Sequence, residues 1–277
     1  MNFPISLLAA LWLSLLAVTP RALAQVIDLS AGRWVDLSHD YSENTLYWPT
    51  ADGFRKETVF EGHTEGGWYY TAYNVCTAEH GGTHIDAPVH FAEGRQSVDQ
   101  IPFYRLIAPA VVIDVRAASA ADPDYQAREE DIRAWEESHG RISQGAIVLF
   151  NTGFADRWPD ADSYMGTSDK GADAVSKLHF PGIHPEAARF LVRHRGVASV
   201  GIDTPSIDYG QSKDFMSHRI LYQHDIPGFE NLANLGAVPA SGALVVALPM
   251  KIKGGSGAPL RAVAFVPDEP ASAQESK

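Results

Sequence analysis

The chain has 277 residues, of which 45% are hydrophobic and 20% charged, with a formal charge of −12. These proportions are ordinary for a globular protein, and an acidic chain with no basic run excludes binding along a nucleic-acid backbone, which needs a basic patch. The single cysteine, Cys76, excludes an internal disulfide, so stability has to come from the core, a bound metal or subunit contacts.

In chain order, the first feature is an apolar run from Ile5 to Val18, followed by Pro20 and Ala22-Leu23-Ala24. It is shorter than the roughly 20 residues a membrane span takes and reads as a secretory signal over residues 1–24. The alternative is an uncleaved anchor, since Met1-Asn2-Phe3 carries no Lys or Arg. The expected mature protein is exported to the periplasm and has no membrane span. Residues 25–266 then form one domain, with 267–277 expected to be a disordered tail.

Residues 26–50 hold two short apolar segments split by turn residues, so strands and loops are expected there. "WYYTAYNV", residues 68–75, is aromatic and β-branched and reads as a strand. Cys76 follows in the same alternation, which predicts a buried strand position. "APAVVIDVR", 108–116, and "GAIVLFNTG", 145–153, are continuous apolar runs of the kind buried strands show. Between them "AREEDIRAWEESHG" has early acids, apolar Ile132 and Trp135, and Gly140 as a stop, which predicts a helix. The segment from Phe154 to Phe180 reads as a long loop bordering a site, its acids solvated. "HPEAARFLVRHRG", 184–196, opens on Pro185 and closes on Gly196, a second helix. "VASVGIDTPSID" and "GALVVALPMKI" add further strands, and no repeat interrupts the order.

The stretch "AEHGGTHIDAPVHF", 78–91, carries His80, His84, Asp86 and His90, all at even positions. In an extended chain these share one face, and Gly81, Gly82 and Pro88 make a helix costly. Imidazoles with a carboxylate are a ligand set for zinc or manganese, and an open position for water allows hydrolysis. A cation there turns bound water into a hydroxide nucleophile and polarises the carbonyl it attacks. His90 is then either a fourth ligand or a general acid/base. Downstream, "FMSHRILYQHDIPGFENLANL" offers His218, His224, Asp225 and Glu230. Alone these are as readily solvated surface groups, but a carboxylate such as Asp86 can bridge two ions. From the residues alone, Trp48 fits a pocket wall and a core position equally.

"HGGTHIDAPVH" resembles the H-x-G-[TA]-H-x-D-x-P-x-H signature of the cyclase family of metal-dependent hydrolases, which includes bacterial kynurenine formamidase (arylformamidase) and isatin hydrolase. The resemblance runs from "VDLSHDYSENTLYWPT" through "GIDTPSID" and "ENLANL" to "ALPMKIKGGSGAPLRAVAF". It implies an α/β single domain whose mixed β-sheet is curled into a barrel-like core with flanking helices, assembled as a homodimer or homotetramer. It implies that His80, His84 and Asp86 bind one ion. Asp86 bridges to a second ion held by His218 and Glu230, twelve residues apart, and His90 moves protons. Trp48 matches the aromatic that contacts substrate in formamidases, although Thr50 and Ala51 replace the Gly-Asp pair that follows it there. Isatin hydrolases use one manganese and lack the downstream glutamate, so Glu230 favours two ions. Asp203 and Asp208 are expected to hold a loop near the site; His224 and Asp225, which the family pattern leaves without a role, are expected at the surface or behind the ligands.

The expected activity is therefore metal-dependent opening of a C–N bond in an aryl formamide or cyclic amide, a small-molecule substrate. Two rivals are a lactone or cyclic ester hydrolase, and a non-catalytic periplasmic metal- or solute-binding protein, which has no need of His90. An export signal sits awkwardly with a role in tryptophan breakdown, normally a cytoplasmic process.

Overall fold

The computed structural model describes residues 27–268; the expected signal segment 1–24 lies outside them, as does the part of the expected tail beyond Asp268. The chain opens with β1 (Gly32–Asp36), then a hairpin of β2 (Arg55–His63) and β3 (Tyr69–Cys76), then the three-residue β4 (His84–Asp86). β5 (Ile107–Asp114) leads through α1 (Arg116–Ala121) and β6 (Gln126–Ala127) to α2 (Glu129–His139) and β7 (Ile147–Asn151). Next come α3 (Ala161–Met165), β8 (Gly182–Ile183), α4 (Pro185–Phe190), β9 (Ser199–Ile202), α5 (Met216–Tyr222) and β10 (Gly228–Glu230). β11 (Ala243–Pro249) and β12 (Gly257–Pro267) finish the domain. The tail boundary expected after residue 266 falls inside β12, and the Asp268 N–H still donates to Ala31 O at 3.1 Å.

Seven strands, in the order β12-β11-β5-β7-β9-β10-β4, close into a mixed barrel because β4 pairs with β12 as well as with β10. β5, β7, β9 and β10 run parallel, while β11, β12 and β4 are antiparallel to their neighbours. Along β12, Gly257–Pro259 serves β4 and Val263–Pro267 serves β1. Closure of this kind leaves no free edge at the seam.

The continuous apolar strands are buried on both faces. In β7, Ile147 and Leu149 enter the core inside the barrel, with Leu37, Ile85, Val112 and Phe229. Val148 and Phe150 enter a second core under the helices, with Ile132, Trp135, Leu191 and Leu221. Each such side chain contributes about 1.5–3 kcal/mol of transfer free energy. α2 forms as its sequence predicts: Asp131 accepts from the Arg128 N–H at 2.6 Å, and Gly140 leaves the helix at φ 85°. α4 starts at Pro185 and ends, after a π-helical turn, at left-handed Gly196.

Two expectations fail. Residues 154–180 are not a structureless loop: α3 and two 3-10 turns, Phe154–Arg157 and Ala172–Lys177, pack Phe154, Tyr164, Met165, Leu178 and Phe180 into a third core. Cys76 is on a strand but exposed. The reason is that the β2–β3 hairpin pairs only with itself and leaves both faces in solvent, so an alternating pattern there has no core behind it. No helix among the described residues is long and apolar enough to cross a membrane.

Candidate active site at the barrel seam

β4 carries His84 and Asp86 two residues apart, so both side chains project to one face, and both are buried. His80 is delivered by the preceding turn, where Gly82 is left-handed at φ 56° and a Cβ on Gly81 would meet the Tyr47 ring at 2.0 Å. Its Nδ1 lies 2.6 Å from Asp86 Oδ1. Pro88 then starts a one-turn 3-10 helix that ends at His90. That turn brings the His90 ring back against His80, stacked at 3.9 Å between centroids.

The downstream residues arrive from the other side of the seam. The antiparallel register sets Glu230 on β10 opposite His84, and Glu230 Oε2 lies 3.3 Å from His84 Nε2. α5 places His218 Nε2 at 3.1 Å from Glu230 Oε1 and 3.4 Å from Asp86 Oδ2. Two groups capable of holding a cation result, His80–His84–Asp86 and Asp86–His218–Glu230, sharing Asp86. His90 belongs to neither, and its Nε2 lies 3.9 Å from Asp86 Oδ2.

The donor set fits a divalent cation on a direct observation. The Gly82 carbonyl accepts the His84 Nδ1 hydrogen at 2.9 Å, which leaves Nε2 as the nitrogen open to a cation once any proton on it is released. That Nε2 is buried between two carboxylates, 3.2 Å from Asp86 and 3.3 Å from Glu230, and makes no hydrogen bond. An orphaned buried nitrogen is rare unless an ion or water completes it.

The charges tell the same story. Burial pushes the Asp86 carboxyl up, but the His80 and His90 imidazoles and hydrogen bonds from His218 and His80 outweigh it and hold Asp86 well below the ordinary carboxylate range. Burial likewise pushes His84 down, yet Asp86 and Glu230 bring it up to about 10. Without a cation, protons on imidazole neutralise the carboxylates, and a bound ion would release them. His90 behaves differently: burial dominates and lowers it below the usual imidazole value, so it is a neutral base at pH 7.

Around these groups the structure shows what the sequence left open. Asp208 accepts from His218 Nδ1 at 2.6 Å and from the His218 and Ser217 N–H groups, fixing which nitrogen faces the carboxylates. Asp203 holds the Thr152 and Gly153 backbone, as expected of a loop-holding residue. His224 is exposed with its Nδ1 on Ile220 O, and Asp225 pairs with Arg95, so neither enters the site. Trp48 lines the cavity and also touches Phe180 and Phe215, which makes it both wall and packing. The cavity, about 380 Å3, is walled on its apolar side by Leu46, Trp48, Phe91, Met165 and Phe215.

Sequence reasoning missed several of these residues. Tyr222 donates to Asp86 Oδ2 at 3.0 Å and lies four positions after His218 on α5, a spacing that could have flagged it. Phe91 follows His90 directly. Met165 gave no signal inside a segment read as loop.

A barrel seam that gathers two histidine–carboxylate groups around one shared aspartate, with an unattached imidazole on the cavity wall, is the site of a metal-dependent hydrolase. The chain belongs to the cyclase family: the family model described as "Putative cyclase" matches residues 35–209. Isatin hydrolase from Roseibium aggregatum is 36% identical over 207 residues, covering 72% of this chain and 76% of that protein. Kynurenine formamidase from Salinibacter ruber is 30% identical over 241 residues, covering 83% of this chain and 95% of that one. The solved structure of isatin hydrolase A from Labrenzia aggregata, bound to benzyl benzoate, matches with a TM-score of 0.78 at 34% identity, over 86% of this chain and 95% of that chain.

Proposed function

We propose that the protein hydrolyses the C–N bond of an aryl formamide or a cyclic amide. The observation that carries this is His90, an imidazole on the wall of an aromatic-lined cavity, 3.9 Å from the shared carboxylate yet outside both cation-holding groups. His80, His84 and Asp86 would hold one ion and Asp86, His218 and Glu230 a second, zinc or manganese in each case. A cation there supplies Lewis acidity, polarising the carbonyl and acidifying water. His90 accepts the proton of the attacking water at Nε2 and delivers it to the departing nitrogen. Trp48, Phe91 and Phe215 would stack on the aryl part, holding its carbonyl toward the seam and excluding water from that side.

Incubating the metal-loaded protein with isatin, N-formylkynurenine and aryl lactones tests this. Turnover of an amide is expected. Turnover of lactones alone would make it a cyclic ester hydrolase, and binding without any turnover would make it a binding protein.

The export signal over 1–24 and a homodimer or homotetramer complete the proposal. In support of assembly, the β2–β3 hairpin leaves Val59, Trp68, Tyr69, Tyr70 and Val75 more than half exposed, and a free two-stranded hairpin is marginal in water. Light scattering reads the assembly state, and the N-terminal residue of the periplasmic protein reads the cleavage.

A further inference from the structure

We infer that Ser256 and Glu79 are positioning residues that fix which nitrogen of His80 faces the metal group; the inference rests on reading His80 as a ligand. His80 has its two ring nitrogens on opposite partners. Nδ1 faces Asp86 Oδ1 at 2.6 Å, and Nε2 faces the Ser256 hydroxyl at 2.9 Å. The direction of the second contact follows from counting hydrogens. Ser256 Oγ lies 2.6 Å from Glu79 Oε2, and the same Oε2 accepts the Ser256 backbone N–H at 3.0 Å. Oε2 is already the acceptor of that N–H, so the single hydroxyl hydrogen goes to it as well. The hydroxyl oxygen can then only accept from His80, which puts a hydrogen on Nε2. Nδ1, whose hydrogen faces Asp86 Oδ1 at 2.6 Å while no cation is bound, is then the nitrogen that gives up its hydrogen to meet a cation beside Asp86.

The local chain is built for this approach. Ser256 lies between Gly255 and Gly257 at the start of β12, and both glycines are in close contact with the relay. A Cβ on Gly257 would fall 2.5 Å from His80 Cε1, and one on Gly255 would fall 2.8 Å from Glu79 Oε1. The Ser256 carbonyl is itself pinned by the Ala87 N–H at 2.8 Å, next to Asp86. Glu79 and Ser256 are 177 positions apart in sequence, yet together they hold the end of the imidazole opposite the one that meets the ligand group. Outer partners of this type set ligand orientation, and losing one weakens metal binding by about ten- to a hundredfold.

The test measures zinc affinity of the full-length protein by competition with a chromophoric chelator, independently of turnover. Ser256→Ala should bind zinc about ten- to a hundredfold more weakly, and Ser256→Thr, which restores the hydroxyl, should recover most of that loss. Glu79→Ala should also weaken binding, because the freed hydroxyl can turn its hydrogen toward Nε2. Glu79→Gln, which keeps an acceptor oxygen, should fall between it and the wild type. In the zinc-loaded wild type, the His80 imidazole N–H signal should be assigned to Nε2 and exchange slowly; in Ser256→Ala it should exchange faster. Wild-type affinity in Ser256→Ala, or an N–H signal on Nδ1 of His80, overturns the relay alone. A wild-type protein that binds no zinc and no manganese overturns the ligand reading beneath it.

Discussion

Replacing His90 separates proton transfer from metal binding more cleanly than any other change in the site. The imidazole makes no hydrogen bond to a ligand: its nearest carboxylate oxygen, Asp86 Oδ2, is 3.9 Å away. What it does make is packing, a stack on His80 at 3.9 Å and an edge contact with Phe91 at 4.5 Å between centroids. His90→Phe keeps an aromatic ring in that stack and removes the proton-carrying nitrogens, whereas His90→Ala removes both. A positioned acid/base contributes about 10²–10⁴ in rate, or roughly 3–5 kcal/mol at about 1.36 kcal/mol per decade. Both variants should therefore lose at least a hundredfold in kcat on the amide the enzyme prefers, while elemental analysis finds wild-type metal content. The structure sets the contrast with His84, which is buried between Asp86 and Glu230: His84→Ala should lose metal and activity together. Equal metal loss in His90→Phe and His84→Ala, or a His90→Phe enzyme at full speed, would refute the assignment.

Asp208→Asn removes the charge behind His218 Nδ1, and zinc affinity should fall about ten- to a hundredfold; an unchanged chelator titration would show that the carboxylate does not orient the ring. Tyr222→Phe deletes the hydroxyl hydrogen bond to buried Asp86 and should lower the stability of the metal-free protein by about 1.5–3 kcal/mol, read from urea unfolding. His39 is stacked on Trp158, and burial lowers its pKa from 6.5 to about 4. Between those values the unfolded chain binds the proton and the folded one does not, so stability rises with pH across that window. His39→Phe should flatten that rise, and an unchanged slope between pH 4 and 6.5 would argue against it. Chelation should lower the melting temperature and zinc at a hundred times its Kd should restore about 2.7 kcal/mol; a melting temperature indifferent to zinc would leave the metal reading without support.

Legibility followed the range over which residues act. The strand alternation of His84 and Asp86 is local, and β4 realises it directly. The same alternation predicts a shared face for His80 and His90, where it holds for another reason: a Gly-Gly turn and a Pro-initiated 3-10 turn fold those side chains back onto the strand's face. The apolar runs of β7 and β9, and of β5 from Ala110 to Ile113, are readable because parallel strands buried on both faces carry no polar alternation. The sequence places Asp208 near the site but does not identify its partner, because nothing within the segment shows that α5 lies over it. Glu79 with Ser256, and Asp86 with Tyr222, meet only after the barrel closes. In the hairpin, the alternation ending at Cys76 predicts a burial the structure does not have, since a sequence shows a strand's two faces without showing whether anything covers either.

The seam also explains why the shared aspartate sits where it does. β4 has only three residues, yet it is paired on both edges, and Asp86 stands opposite a glycine each time: Gly228 on β10 and Gly257 on β12. Directly opposed positions place their side chains on the same face, within about 4.5–5.5 Å at Cβ. Any larger residue at either position would therefore project beside the Asp86 carboxylate. A Cβ on Gly228 would meet the Tyr222 hydroxyl at 2.9 Å, and one on Gly257 would meet the His80 ring at 2.5 Å. Both of those groups grip the carboxylate, Tyr222 at Oδ2 and His80 at Oδ1. Closing the barrel and building the site thus impose one requirement on the sequence: the strand neighbours of Asp86 are reduced to hydrogen so that its partners can approach from outside the sheet.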